Sequence, residues 1–174
     1  MKTNYNRTVS YYNNADDSKS KIRYNLDYVL GMIKDNQELF QQTVRLRSMP
    51  TEKEYKQAKK LLPMIAPSGI FDYRNDDPEN LREYSNMLVL DFDHFQSHFD
   101  AKEFKRNLIA DADRLHIYTL WLSPSGLGVK VAMLHDNTTP MYHNELFRCI
   151  REQLYAGVVL SHYRTAFAFS VILY

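Results

Sequence analysis

Hydrophobic residues in this chain switch between two spacings, and the switches mark its elements. Thr8–Tyr12 (TVSYY) is a β-branched and aromatic run that predicts a strand. After a polar stretch, Asn25 stands as an N-cap before Leu26, Val29, Leu30 and Ile33, whose spacing predicts a helix. A second helix is predicted over residues 37–46. Thr51 and Glu54 form a capping box, and the helix that they open turns Tyr55, Ala58, Leu61 and Leu62 inward until Pro63 stops it. A turn at residues 66–69 leads to a short strand at Ile70-Phe71, then to an acidic loop over residues 75–80. Met87-Leu88-Val89-Leu90-Asp91-Phe92-Asp93-His94 reads as the central strand. Asp100 is the expected cap of a helix with Ala101, Phe104, Leu108 and Leu115 on its buried side. Ile117–Leu122 and Val129–Leu134 flank the small-residue loop 123–128 and predict a hairpin. A last helix is expected over residues 143–155, with Gly157 as its stop and one or two strands after it.

This order places a hairpin among alternating helices and strands. It predicts an α+β fold with a mixed, largely antiparallel sheet and helices packed mainly on one face. The length of 174 residues suits one domain. Within it, residues 1–50 supply the N-terminal strand and helices, 51–156 the core, and 157–174 a tail that reads as divergent or truncated. A net charge of +1 excludes a strong overall field, so any nucleic-acid binding has to come from a local basic patch. Cys149 is the only cysteine, which excludes an internal disulfide and fits a reducing compartment. The first residues lead into no apolar core, and no apolar run reaches the roughly 18 residues of a membrane span. The expected location is the cytoplasm, with no membrane partner.

The candidate chemistry begins at Asp91 and Asp93. Side chains alternate along a strand, so these carboxylates share one face while Phe92 takes the other. Unpaired and buried they would be costly, so they call for a cation, a basic partner or water. Loop 123–128 offers hydroxyls from Ser123 and Ser125, backbone N–H groups, and two glycines, Gly126 and Gly128, that permit close approach of a ligand. Lys130 follows at the start of the next strand. Carboxylates for Mg²⁺ (or Mn²⁺), with a small-residue loop and a lysine toward phosphate, are what nucleotidyl transfer requires. Lys53, Lys56 and Lys60, with Lys59 close by, form a stripe on the outer side of their helix; it is either a solvated face or a contact to phosphates.

Taken together, Ser85 to His94 (SNMLVLDFDH), an intervening helix, and Leu122 to Val131 (LSPSGLGVKV) resemble the archaeo-eukaryotic primase superfamily, including its primase-polymerase domains. More closely, the chain resembles the N-terminal domain of VirE-type primase-helicase proteins of mobile elements. Lys59-Lys60-Leu61-Leu62-Pro63 and the Pro67-Ser68-Gly69-Ile70-Phe71 turn fit the same pattern. The resemblance covers roughly residues 8 to 156. It implies a core related to the RNA-recognition-motif fold and a role in replicating or mobilising an element. Asp91 and Asp93 take its catalytic, metal-holding positions, and Ser123, Ser125, Gly126 and Gly128 its nucleotide-phosphate loop. Lys130 stands where the superfamily has a histidine, and no acidic residue follows Glu152. Arg164 is the nearest remnant of an expected Ser-Arg pair and joins the lysine stripe as a candidate nucleic-acid contact. The implied partners are DNA, a nucleoside triphosphate and a helicase domain or protein of the same element. The alternatives are a non-catalytic DNA-binding module that accompanies a helicase, and an inactive remnant.

Overall fold

The structure is a computed structural model, and it describes residues 5–75, 77–157, 164–167 and 171–172. The chain runs β1 (Thr8–Tyr12), β2 (Ile22–Asn25), α1 (Leu26–Asp35), α2 (Gln37–Arg47), α3 (Glu52–Lys59), β3 (Met64–Ala66), β4 (Gly69–Phe71), β5 (Leu81–Tyr84), β6 (Met87–Asp93), α4 (His98–Ala110), β7 (Ile117–Leu122), β8 (Val129–Leu134), α5 (His143–Gly157), β9 (Arg164–Phe167) and β10 (Val171–Ile172). The fold is α+β. Where the sequence suggests one mixed sheet, the described strands form three: β10-β3-β1-β2, β4-β5 and β7-β8-β6-β9. Every strand pairing among the described residues is antiparallel. The tail contributes two strands, and β9 places Arg164 opposite Asp93 in the register of β6.

β6 lies between β8 and β9 and carries a different pattern on each face. Leu88, Leu90 and Phe92 alternate onto one face, with Val129, Val131 and Met133 of β8 beside them. Ala101, Phe104 and Leu108 of α4 and Phe147 of α5 close that side. Phe92 and Phe95 both meet the Phe104 ring at centroid distances of 5.1 Å. Met87 and Val89 alternate onto the other face, where Ala132 and Trp121 join Val9 of β1, Leu26 and Val29 of α1 and Ile65 of β3. Both faces are therefore covered. α4 and α5 lie on one, and the N-terminal sheet with α1 lies on the other. On this second face the apolar series ends at Asp91 and Asp93.

The caps explain most of the helix boundaries. The Asn25 side chain accepts from the Asp27 N–H, and the Thr51 hydroxyl accepts from the Glu54 N–H while donating to the Glu54 carboxylate. α4 begins earlier than expected. Ser97, not Asp100, is its cap: the Ser97 hydroxyl accepts from the Asp100 N–H at 3.1 Å and donates to its carboxylate at 2.8 Å. Asp100 is thus the answering member of the box, three residues into the motif. β2, β3 and β5 are too short, at three or four residues, to show a period in the sequence.

Candidate functional site

The register of β6 and β8 sets Asp91 directly opposite Lys130. The Lys130 ammonium donates to Asp91 Oδ2 in an ion pair that is nearly closed to solvent, with Lys130 only 6% exposed. Asp91 Oδ1 is buried and has no hydrogen-bond partner among the described residues. Burial raises the Asp91 carboxyl above its ordinary range, and neighbouring Asp93 adds to that, against the opposing pull of Lys130 and, more weakly, Lys59. Lys130 is thus the chief group favouring the ionised form of this carboxylate, against its burial.

Asp93, two residues on and on the same face, is half-buried and opens into a cleft of about 710 Å³. The cleft lies between the β6 end and the α2–α3 connection. Arg47, Tyr55, Lys56, Lys59, His94, His98 and Ser125 also line it. The chain turns sharply at its edge, where His94 has a φ of +70°, a conformation uncommon for a residue with a side chain. Tyr55, expected inside the core, stands in the cleft wall, and burial raises its hydroxyl above the ordinary tyrosine value.

Loop 123–128 meets this cleft through Ser125 and Leu127 and is closed on itself. The Ser123 N–H donates to Gly128 O, the Gly126 N–H to Ser123 O, and the Leu127 N–H to the Ser125 hydroxyl, which lies 2.9 Å from the Ser123 hydroxyl. Three N–H groups that the sequence offers to a ligand are spent inside the loop. Gly128 allows its close approach to β6. A Cβ there would sit 2.3 Å from Asp93 Oδ1, 2.9 Å from Ser123 Oγ and 3.0 Å from Phe92 O. Gly128→Ala is expected to lower stability by about 1–3 kcal/mol, since the backbone contact cannot be relieved by turning a side chain. Chemical unfolding of the variant measures this, and an unchanged midpoint would mean that the hairpin end yields freely.

The structure thus brings Asp93, Ser125, Lys56 and Lys59 to one cleft and keeps Asp91 and Lys130 as a pair beneath it. Lys56 also pairs with Glu52 at 2.7 Å. Lys53 and Lys60 lie with Lys56 along a separate depression of about 400 Å³ on α3. Arg47 and His98 are cleft residues that the sequence does not mark. The Arg47 Nε–H donates to Pro124 O at 2.9 Å, across 77 positions of chain, and no periodicity signals a contact of that span. Among the described residues no three His, Cys, Asp or Glu side chains converge as a metal-binding group, and no helix is long and apolar enough to cross a membrane.

A family model described as BT4734-like, N-terminal domain, matches residues 56–169, more than half of the chain. No curated protein and no solved structure matches it.

Proposed function

The chain belongs to the BT4734-like N-terminal domain family, and we propose that it is a primase-polymerase-like domain of a mobile-element replication protein, binding nucleotide or nucleic-acid phosphates in the Asp93 cleft together with Mg²⁺ or Mn²⁺. One observation carries this reading. A carboxylate, a serine-glycine loop and the inner lysines of α3, from three separate parts of the chain, face one open volume. Mg²⁺ is commonly held by one or two carboxylates with phosphate oxygens completing its shell. Asp93 fits that role as it stands. Asp91 fits it only if Lys130 gives up its carboxylate. In the catalytic version, Asp93 would hold the metal, which would supply charge stabilisation to the phosphoryl group, while Ser125, Lys56 and Lys59 orient the triphosphate. DNA and a nucleoside triphosphate are the partners in this reading, with a helicase of the same element beside them and the cytoplasm as the location.

The Asp91–Lys130 pair favours a second reading, a non-catalytic DNA-binding module that accompanies a helicase. A carboxylate already neutralised by its own lysine is unavailable to a metal. The two readings part in one pair of measurements. Primer synthesis that is supported by Mg²⁺ or Mn²⁺ and lost in Asp93→Asn supports catalysis. DNA binding that weakens steeply with salt, falls in the Lys56→Ala/Lys59→Ala double variant and survives Asp93→Asn, with no primer made, supports the binding module. A chain that binds neither DNA nor nucleotide defeats both.

A further inference from the structure

We propose that Arg47, at the C-terminal end of α2, is the residue that grips a phosphate at the apex of loop 123–128, by a bidentate guanidinium contact. This rests on the reading of the cleft given above and names the group that recognises the anion. The loop itself is poorly placed to do so, because the N–H groups of Ser123, Gly126 and Leu127 are bonded within it. Lys130, the nearest cation along the sequence, is buried against Asp91. A guanidinium outside the loop supplies donors that these three groups do not.

Arg47 is exposed, lines the cleft and is fixed at one point. Its Nε–H donates to Pro124 O at 2.9 Å, which holds the guanidinium against the loop. The two terminal nitrogens make no hydrogen bond or salt bridge among the described residues. A guanidinium carries five N–H donors in a rigid plane, so the Nε contact leaves four in a fixed fork. Gly126 makes the approach possible. It has a φ of +75°, and a Cβ there would lie 3.4 Å from Arg47 Cζ and 3.2 Å from His98 Nε2. The guanidinium and an exposed imidazole thus converge on a bare stretch of backbone at the loop tip. Such a notch suits a tetrahedral oxyanion, and a fork that is already oriented loses little freedom on binding. The phosphate can be the terminal group of a nucleotide or one from a nucleic-acid backbone.

The intact chain is titrated with tripolyphosphate and, separately, with a single-stranded oligonucleotide lacking terminal phosphates. Arg47→Lys keeps the charge and loses the fork, and is expected to weaken binding about tenfold or more. Arg45→Lys, on the same helix but outside the cleft, is expected to leave binding unchanged. Loss confined to tripolyphosphate assigns the notch to a nucleotide's phosphates, and loss confined to the oligonucleotide assigns it to a backbone; either supports the proposal. Equal affinity of Arg47→Lys and the unaltered chain for both probes overturns it while leaving the cleft reading intact. No binding of either probe by the unaltered chain overturns both. Should the variant fail to fold, the Arg47 Nε–H resonance of the unaltered chain decides. A shift as tripolyphosphate or oligonucleotide saturates supports the contact, and an unmoved signal with both refutes it.

Discussion

Lys130→Met is expected to destabilise the fold by about 3–5 kcal/mol, the usual penalty when one partner of a buried ion pair is removed. The loss arises because Asp91 stays behind. Among the described residues its Oδ1 is already without a hydrogen bond, and the variant strips from Oδ2 the one partner seen there. The carboxyl then shifts further upward from its ordinary value of 3.8, since burial and Asp93 act without opposition from the lysine. The sign of the pH dependence follows. Above that ordinary value the native variant holds a proton that the unfolded chain releases, so its stability falls as pH rises toward the raised native value. Asp91→Leu/Lys130→Met should recover most of the loss, because two apolar side chains on that face extend the cluster of Met87, Val89 and Ala132. Urea unfolding of the unaltered chain, both single variants and the double variant tests this. Single variants as stable as the parent would show that the pair is not closed from water.

Lowering pH from about 6.5 to about 4 is expected to remove about 3 kcal/mol of stability through His143. This histidine is 5% exposed, and its ring is tied on both sides. Tyr84 Oη lies 2.6 Å from Nδ1 and Ser68 Oγ 3.3 Å from Nε2, while Asn137 Nδ2 donates to the Tyr84 hydroxyl at 3.3 Å. Burial first, and the nearby His135 second, push the His143 pKa from 6.5 down to about 4. Below 6.5 the unfolded chain takes up a proton that the native ring refuses until about 4, so stability is intact above that window and lost on descending through it. His135, also buried, is lowered by burial and adds in the same direction. Tyr84 is pushed up to about 12 by burial and keeps its proton throughout. The network joins the turn between β3 and β4, the end of β5 and the start of α5, so its loss should loosen α5 first. His143→Gln removes the titration. Stability measured at several pH values should fall more steeply for the unaltered chain than for the variant. Parallel curves would place the acid sensitivity elsewhere.

The helix caps at Asn25 and Thr51, the hairpin of β7 and β8, and the shared face of Asp91 and Asp93 were legible because each is written in neighbouring residues. Spacing two along β6 decides a face, and a hydroxyl three residues before a carboxylate decides a start. Ser97, the α4 cap, is hidden in the sequence because Asp100, also a good cap residue, stands three positions later. The fit of loop 123–128 to the end of β6 through Gly128 was half legible: the glycines were visible, but not what they approach. Arg47 and the Ser68–His143–Tyr84 network were not legible, since their contacts join residues separated by 59 to 77 positions.

The sequence by itself determined the α+β class, most of the elements and which residues of β6 share a face, because local periodicity and capping are properties of adjacent side chains. Only the tertiary structure decided how the charges are divided. The register of β8 against β6 brings a buried Lys130 to Asp91 and leaves that pair little exposed, whereas the end of β6 leaves Asp93 open to the cleft. A strand's own residues fix which way a carboxylate points, but its charge state and availability depend on what the neighbouring strand sets against it and on how much water remains.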